Sequence, residues 1–162
     1  MRFLVVAALA LTGPAMGQEL PYSNALTQNC LASADNATSA RACIGRSADA
    51  CIATPDGGTT VGMGGCLSLE LTFWDNLLNA NYKQRMSVAK EIDAEMQELG
   101  ATVPLQAPAL RDMQRAWITY RDATCDYARS QWGGGTGGGP ATVSCLLDLT
   151  GQQALYLTPE PR

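Results

Sequence analysis

Apolar side chains recur every three or four residues along two long stretches of this chain. In the first, Leu67, Leu71, Trp74, Leu78, Tyr82, Met86, Ala89, Ile92, Met96 and Leu99 form one series, and steps of that size place side chains on a single face of a helix. The series predicts a long helix over about 61–99, ended by Gly100, with Pro104 and Pro108 in the connection that follows. In the second, Leu110, Met113, Trp117, Tyr120, Thr124, Tyr127 and Gln131 share a face. Arg111, Asp112, Arg115, Asp122, Asp126 and Arg129 lie mostly elsewhere, which predicts a helix over about 109–131. Weaker patterns predict shorter helices over about 22–34, 40–53 and 142–157. Asp35 and Asn36 separate the first two of these, with Thr38 or Ser39 as the next cap. Thr54-Pro55-Asp56-Gly57-Gly58 reads as a turn. Six glycines and Pro140 between 133 and 140 oppose helix formation there. No segment alternates convincingly as a strand does. The expected fold class is all-α: a disulfide-bonded helical domain built on a long antiparallel helix hairpin.

The first residues add a targeting expectation. Arg2 precedes nine apolar residues, Phe3 to Leu11. Gly13 and Pro14 break the run, and Ala15-Met16-Gly17 places small residues where a signal peptidase cuts. Nine residues rise only ~14 Å as a helix, about half a bilayer core, so a cleaved signal peptide over 1–17 is expected rather than an anchor. Cleavage would leave Gln18 first and no membrane anchor. It would place the protein in the periplasm or outside the cell. The remaining organisation is an N-terminal helical extension over 18–60, a main helical domain over 61–157 and a frayed terminus over 158–162.

Six cysteines follow the leader: Cys30, Cys43, Cys51, Cys66, Cys125 and Cys145. An even count behind a signal peptide implies three disulfides. Cys43 and Cys51 stand eight apart in one predicted helix. A continuous helix would hold them ~12 Å apart, beyond disulfide reach. The other connectivities stay open. The preferred set is Cys30–Cys43, Cys51–Cys66 and Cys125–Cys145, because each pair joins neighbouring helices across one connection.

Composition removes several classes of function. The chain has no histidine and no Cys-x-x-Cys spacing, so neither a zinc site nor a histidine-dependent triad is expected. A formal net charge of −4, without any basic cluster, argues against nucleic acid and favours a cationic partner. Glu70 and Asp75 sit too far round the helix to converge. Glu91, Asp93, Glu95 and Glu98 read as a solvated face. The glycine run lacks the Lys and Ser/Thr of a phosphate loop. No enzyme signature and no cofactor are expected.

Two blocks carry a family resemblance. The first runs from Cys66 through Glu70, Trp74, Asp75, Leu78 and Asn79 to Tyr82. The second runs from Gln114 through Trp117, Tyr120, Arg121 and Asp122 to Cys125, with a Gly/Thr-containing loop and Cys145 after it. Together they resemble the lysozyme-inhibitor LprI-type family of exported bacterial helical domains, over about 66–155. The resemblance implies an inhibitor that binds a basic lysozyme-like glycan hydrolase and blocks it sterically. The alternative is a non-inhibitory binding or structural module of the cell envelope. Glu70, Trp74, Asp75, Asn79, Tyr82, Trp117, Tyr120, Arg121 and Asp122 are expected to be structural members of the motif. A hairpin folded about 102–104 would set Trp74 opposite 130–134, beside Tyr127 or Trp132, with Glu70 and Asp75 near Arg129. Arg121 would then turn to Asp122 or a carboxylate of another helix. Trp132, beside the glycine run, and Thr136, the only side chain between two glycine triplets, are the expected partner-binding residues.

Overall fold

The computed structural model describes residues 19–159. The expected signal peptide, the new terminus at Gln18 and residues 160–162 lie outside the described residues. Six helices follow in order: α1 (Ala25–Ser33), α2 (Ala37–Arg41), α3 (Arg46–Ile52), α4 (Thr60–Glu98), α5 (Gln106–Ser130) and α6 (Gly138–Tyr156). No strand occurs among the described residues, and no helix there is long and apolar enough to cross a membrane.

The 39-residue α4 is the spine. Thr59 caps its start by accepting from the Gly62 N–H at 2.9 Å. At its end Gly100 turns left-handed at φ 69°. The Gly100 and Ala101 N–H groups return to the carbonyls of Gln97 and Met96, which satisfies the last turn. The core lies between α3, α4 and α6, where Ala48, Leu67, Trp74, Leu78, Leu147, Ala154 and Leu157 are buried together. Leu110, Met113 and Trp117 of α5 close it from the far side.

α4 and α5 form the expected hairpin through 99–105, but α6 returns along both and packs most extensively on α4. That third helix overturns the expected register. Asp93 meets the start of α5 at Gln106 and Ala107, more than a turn away from the match anticipated. Trp74 faces α3 and α6 residues in the core instead of Tyr127 or Trp132. Tyr120 and Tyr127 are consequently exposed at the flank of α5, and the buried line runs through Ala107, Gln114 and Cys125.

Cys30 bonds to Cys43, Cys51 to Cys66 and Cys125 to Cys145. The predicted helix over 40–53 is not continuous, however. Residues 42–45 turn between α2 and α3, and Gly45 adopts φ 92°, a conformation that favours glycine. The helix-rise premise that set Cys43 apart from Cys51 therefore fails, although the two do not pair. Asn36, rather than Thr38 or Ser39, caps α2. Its side chain accepts from the N–H groups of Thr38 and Ser39, and the Ser39 hydroxyl accepts from the Asn36 N–H.

α6 begins earlier than expected, with Gly138, Gly139 and Pro140 in its first turn. Proline is tolerated there because first-turn N–H groups have no intrahelical acceptor. Gly151, in the middle of α6, has a packing role: a Cβ at this position would fall 2.8 Å from Ile44 Cδ1, so glycine admits the α2–α3 turn onto α6. The far end is tied to α4 through Thr158. Its carbonyl accepts from Arg85 Nη2 at 2.6 Å and its hydroxyl from Asn81 Nδ2 at 3.3 Å.

Candidate functional site

The first motif block converges on Glu70, which is fully buried. Oε1 accepts from the Thr27 hydroxyl at 2.8 Å, the Gly45 N–H at 2.9 Å and Trp74 Nε1 at 3.0 Å. Oε2 accepts from the Ala48 N–H at 2.6 Å. Four donors from α1, the α2–α3 turn, α3 and α4 itself thus meet one carboxylate. Gly45 is the N-cap of α3 and has no side chain with which to cap it. Glu70 takes that role from another helix, where the N-terminal partial charge also favours an anion. Thr27 and Ser47 complete the joint. Each backbone N–H donates to the other's hydroxyl oxygen at 3.1 Å. Sequence inspection expects an ion pair between Glu70 and Arg129, whereas the structure gives Glu70 to backbone amides. Enclosed by protein donors, it has no access to a substrate.

Tyr22 lies at the edge of this joint and donates to Asn24 Oδ1 at 2.6 Å. Burial, and then the Glu70 charge, push its phenol well above the usual tyrosine range. A phenol with a raised folded-state pKa contributes stability below its unfolded value and loses it as pH rises beyond, since the unfolded chain releases the proton first. Stability should therefore fall as pH passes about 10, and Tyr22→Phe should make that fall shallower. Thermal midpoints of the two proteins measured between about pH 9 and 11 check this; parallel curves would count against it.

Other motif residues are placed individually. Trp74 is fully buried and Tyr82 half-buried against the core. Asp75 is exposed and accepts from Asn79 Nδ2 at 2.9 Å, not from Arg129. Trp117 is half-buried, with the Arg121 guanidinium 5.0 Å from its ring centroid. Arg121 also pairs with Asp122 at 2.7 Å. Tyr120 is exposed.

Sequence inspection missed Asn81, Arg85 and Asp93. Asp93 accepts from the Gln106 and Ala107 N–H groups at 2.7 and 2.9 Å, and so caps α5, whose own N-cap is Leu105. It therefore does not belong to a purely solvated acidic face. Asn81 donates to the Ala154 carbonyl, and Arg85 Nε to that of Leu157, at the C-terminal end of α6, where a cation is favourable. α4 thus supplies the end groups of α3, α5 and α6.

The expected partner-binding pair sits at the opposite end of α5. Trp132 is 55% exposed and Thr136 is exposed. The glycine run is closed by local backbone hydrogen bonds. Successive turns fold it back, with Gly135 N–H donating to the Trp132 carbonyl and Gly138 N–H to that of Gly135. The six-membered ring of Trp132 lies against Gly137, where a Cβ would fall 2.2 Å from Cζ3. The Cys125–Cys145 bridge ties the two helices below this turn.

Residues 51–157 match the family model described as Lysozyme inhibitor LprI. Among curated proteins, an uncharacterized 17.7 kDa protein in the puhA 5' region of Rhodobacter capsulatus is 24% identical over 132 residues, covering 81% of this chain and 82% of that protein. An uncharacterized protein, R02472, of Rhizobium meliloti (strain 1021) is 29% identical over 92 residues, covering 57% of this chain and 66% of that protein. No solved structure gives a significant match.

Proposed function

The chain belongs to the lysozyme inhibitor LprI family, and from that premise we propose that it is an exported, non-catalytic protein that binds a lysozyme-like glycan hydrolase and blocks it sterically. Membership of the family is the observation that carries this function. Three disulfides suit an oxidising compartment. A net charge of −4 complements a basic hydrolase and would hasten encounter with it. Glycoside hydrolysis needs two carboxylates flanking the scissile bond, so an inhibitor has only to cover that cleft with a rigid body. The contact is assigned to the α5–α6 end, through Trp132 and Thr136. Aromatic side chains anchor many interfaces, and Trp132 is the one tryptophan exposed to this extent.

Titration of a basic lysozyme with the purified chain tests the proposal. Wall-hydrolysing activity should fall stoichiometrically and stay inhibited at moderate salt. Full activity at saturating chain would overturn the inhibitory function, and association confined to very low salt would mean that only unspecific charge attraction is present.

A further inference from the structure

Below Trp132, α5 and α6 leave an open groove of about 600 Å³, lined by Thr124 and Trp132 on one side and by Ser144, Cys145, Asp148 and Leu149 of α6 on the other. Asp148 is the only charged side chain in its lining. One of its oxygens accepts from Gln152 Nε2 at 2.7 Å, and the residue is exposed. Tyr120 and Tyr127 lie four residues before and three after Thr124, hence next to it on the helix surface. They are 59% and 66% exposed. The groove thus sets one indole ring in the same lining as a single carboxylate, with the two exposed tyrosines on the adjoining surface of α5.

That combination discriminates among occupants. A purely apolar segment would strip water from Asp148 without replacing its hydrogen bonds. An ammonium would satisfy the carboxylate but is strongly hydrated and compact. A guanidinium satisfies both features, because its planar face stacks on an aromatic ring while its N–H fork meets a carboxylate. The chain contains an internal example in Arg121, which lies over Trp117 and pairs with Asp122. We infer that the α5–α6 groove is the seat for an arginine side chain presented by the partner protein. The identity of that partner as a basic hydrolase rests on the function proposed above, and the net charge of −4 complements it.

The test uses the full chain and a basic c-type lysozyme, with binding measured by calorimetry and wall hydrolysis measured separately. Asp148→Asn and Trp132→Ala should each weaken binding about tenfold. Glu95→Gln, which removes the same charge from an exposed position of α4, should change it by less than about twofold. After the lysozyme arginines are blocked with a dicarbonyl reagent, parent and Asp148→Asn should bind alike. Circular dichroism and melting curves check that each variant is folded. The inference is overturned if Asp148→Asn binds as the parent does, if Glu95→Gln is equally damaging, or if lysozyme does not bind. Binding that depends on Asp148 yet leaves hydrolysis intact supports the seat and overturns the inhibitory function instead.

Discussion

Glu70→Leu should destabilise the protein by about 4 kcal/mol or more, among the largest losses expected from any polar position. The Gly45 and Ala48 amides and the Trp74 indole N–H would be left buried without an acceptor. Each such donor costs about 1–3 kcal/mol. Thr27 loses least, since the Ser47 oxygen lies 2.9 Å from its hydroxyl. Glu70→Gln separates acceptor loss from packing. Its carbonyl can replace the three-bonded Oε1, but its amide then meets the Ala48 N–H donor to donor, so a loss of about 1–3 kcal/mol is expected. Denaturant midpoints measure both variants, and amide exchange at Gly45 and Ala48 should accelerate first. An unchanged midpoint for Glu70→Leu would mean that α3 does not depend on a cap from α4.

Trp74→Ala should cost about 3–5 kcal/mol. The ring is fully buried among residues of α3, α4 and α6, where a cavity has little room to collapse. It also removes one donor from Glu70. Trp74→Phe retains much of the ring volume but not the N–H, and should fall between parent and alanine. If Trp74→Ala melts with the parent, the core does not close around this ring. If Trp74→Phe is as damaging as alanine, the hydrogen bond to Glu70 outweighs the packing.

The long helices were legible because α4 and α5 carry an apolar period strong enough to survive their local irregularities. The side chains that join helices were less so. Glu70 and Asp93 look like ordinary surface acids, and nothing beside them shows that amides of other helices will arrive there. Asn81 and Arg85 bind carbonyls more than seventy residues away, and a carbonyl has no sequence signature. The α4–α5 register failed for a related reason: neither helix reveals that α6 will pack along both of them. Two signals were present and could have been used. Gly45 marks the break between α2 and α3, and Asn36 followed three residues later by Ser39 has the spacing of a reciprocal cap. At the candidate site, Trp132 and Thr136 stood out by composition. Asp148 did not, because the Trp132 ring that lines the same groove is brought there only by the fold.

The placement of the α3 cap on α4 bears on how the chain matures. α1, α2 and α3 have nine, five and seven residues, below the length at which isolated helices persist in water. Synthesis delivers them before residue 70 exists. During that interval the segment has no finished helix start to fold upon, and Cys30, Cys43 and Cys51 meet any oxidant in a loose chain whose fourth native cysteine, Cys66, arrives later. Oxidation that outruns elongation leaves Cys51 without its partner, open to oxidation with Cys30 or Cys43 or, as a thiolate, to attack on the disulfide those two have formed. Oxidation delayed until α4 has emerged, or an isomerase that reopens early bonds, would avoid that mispairing.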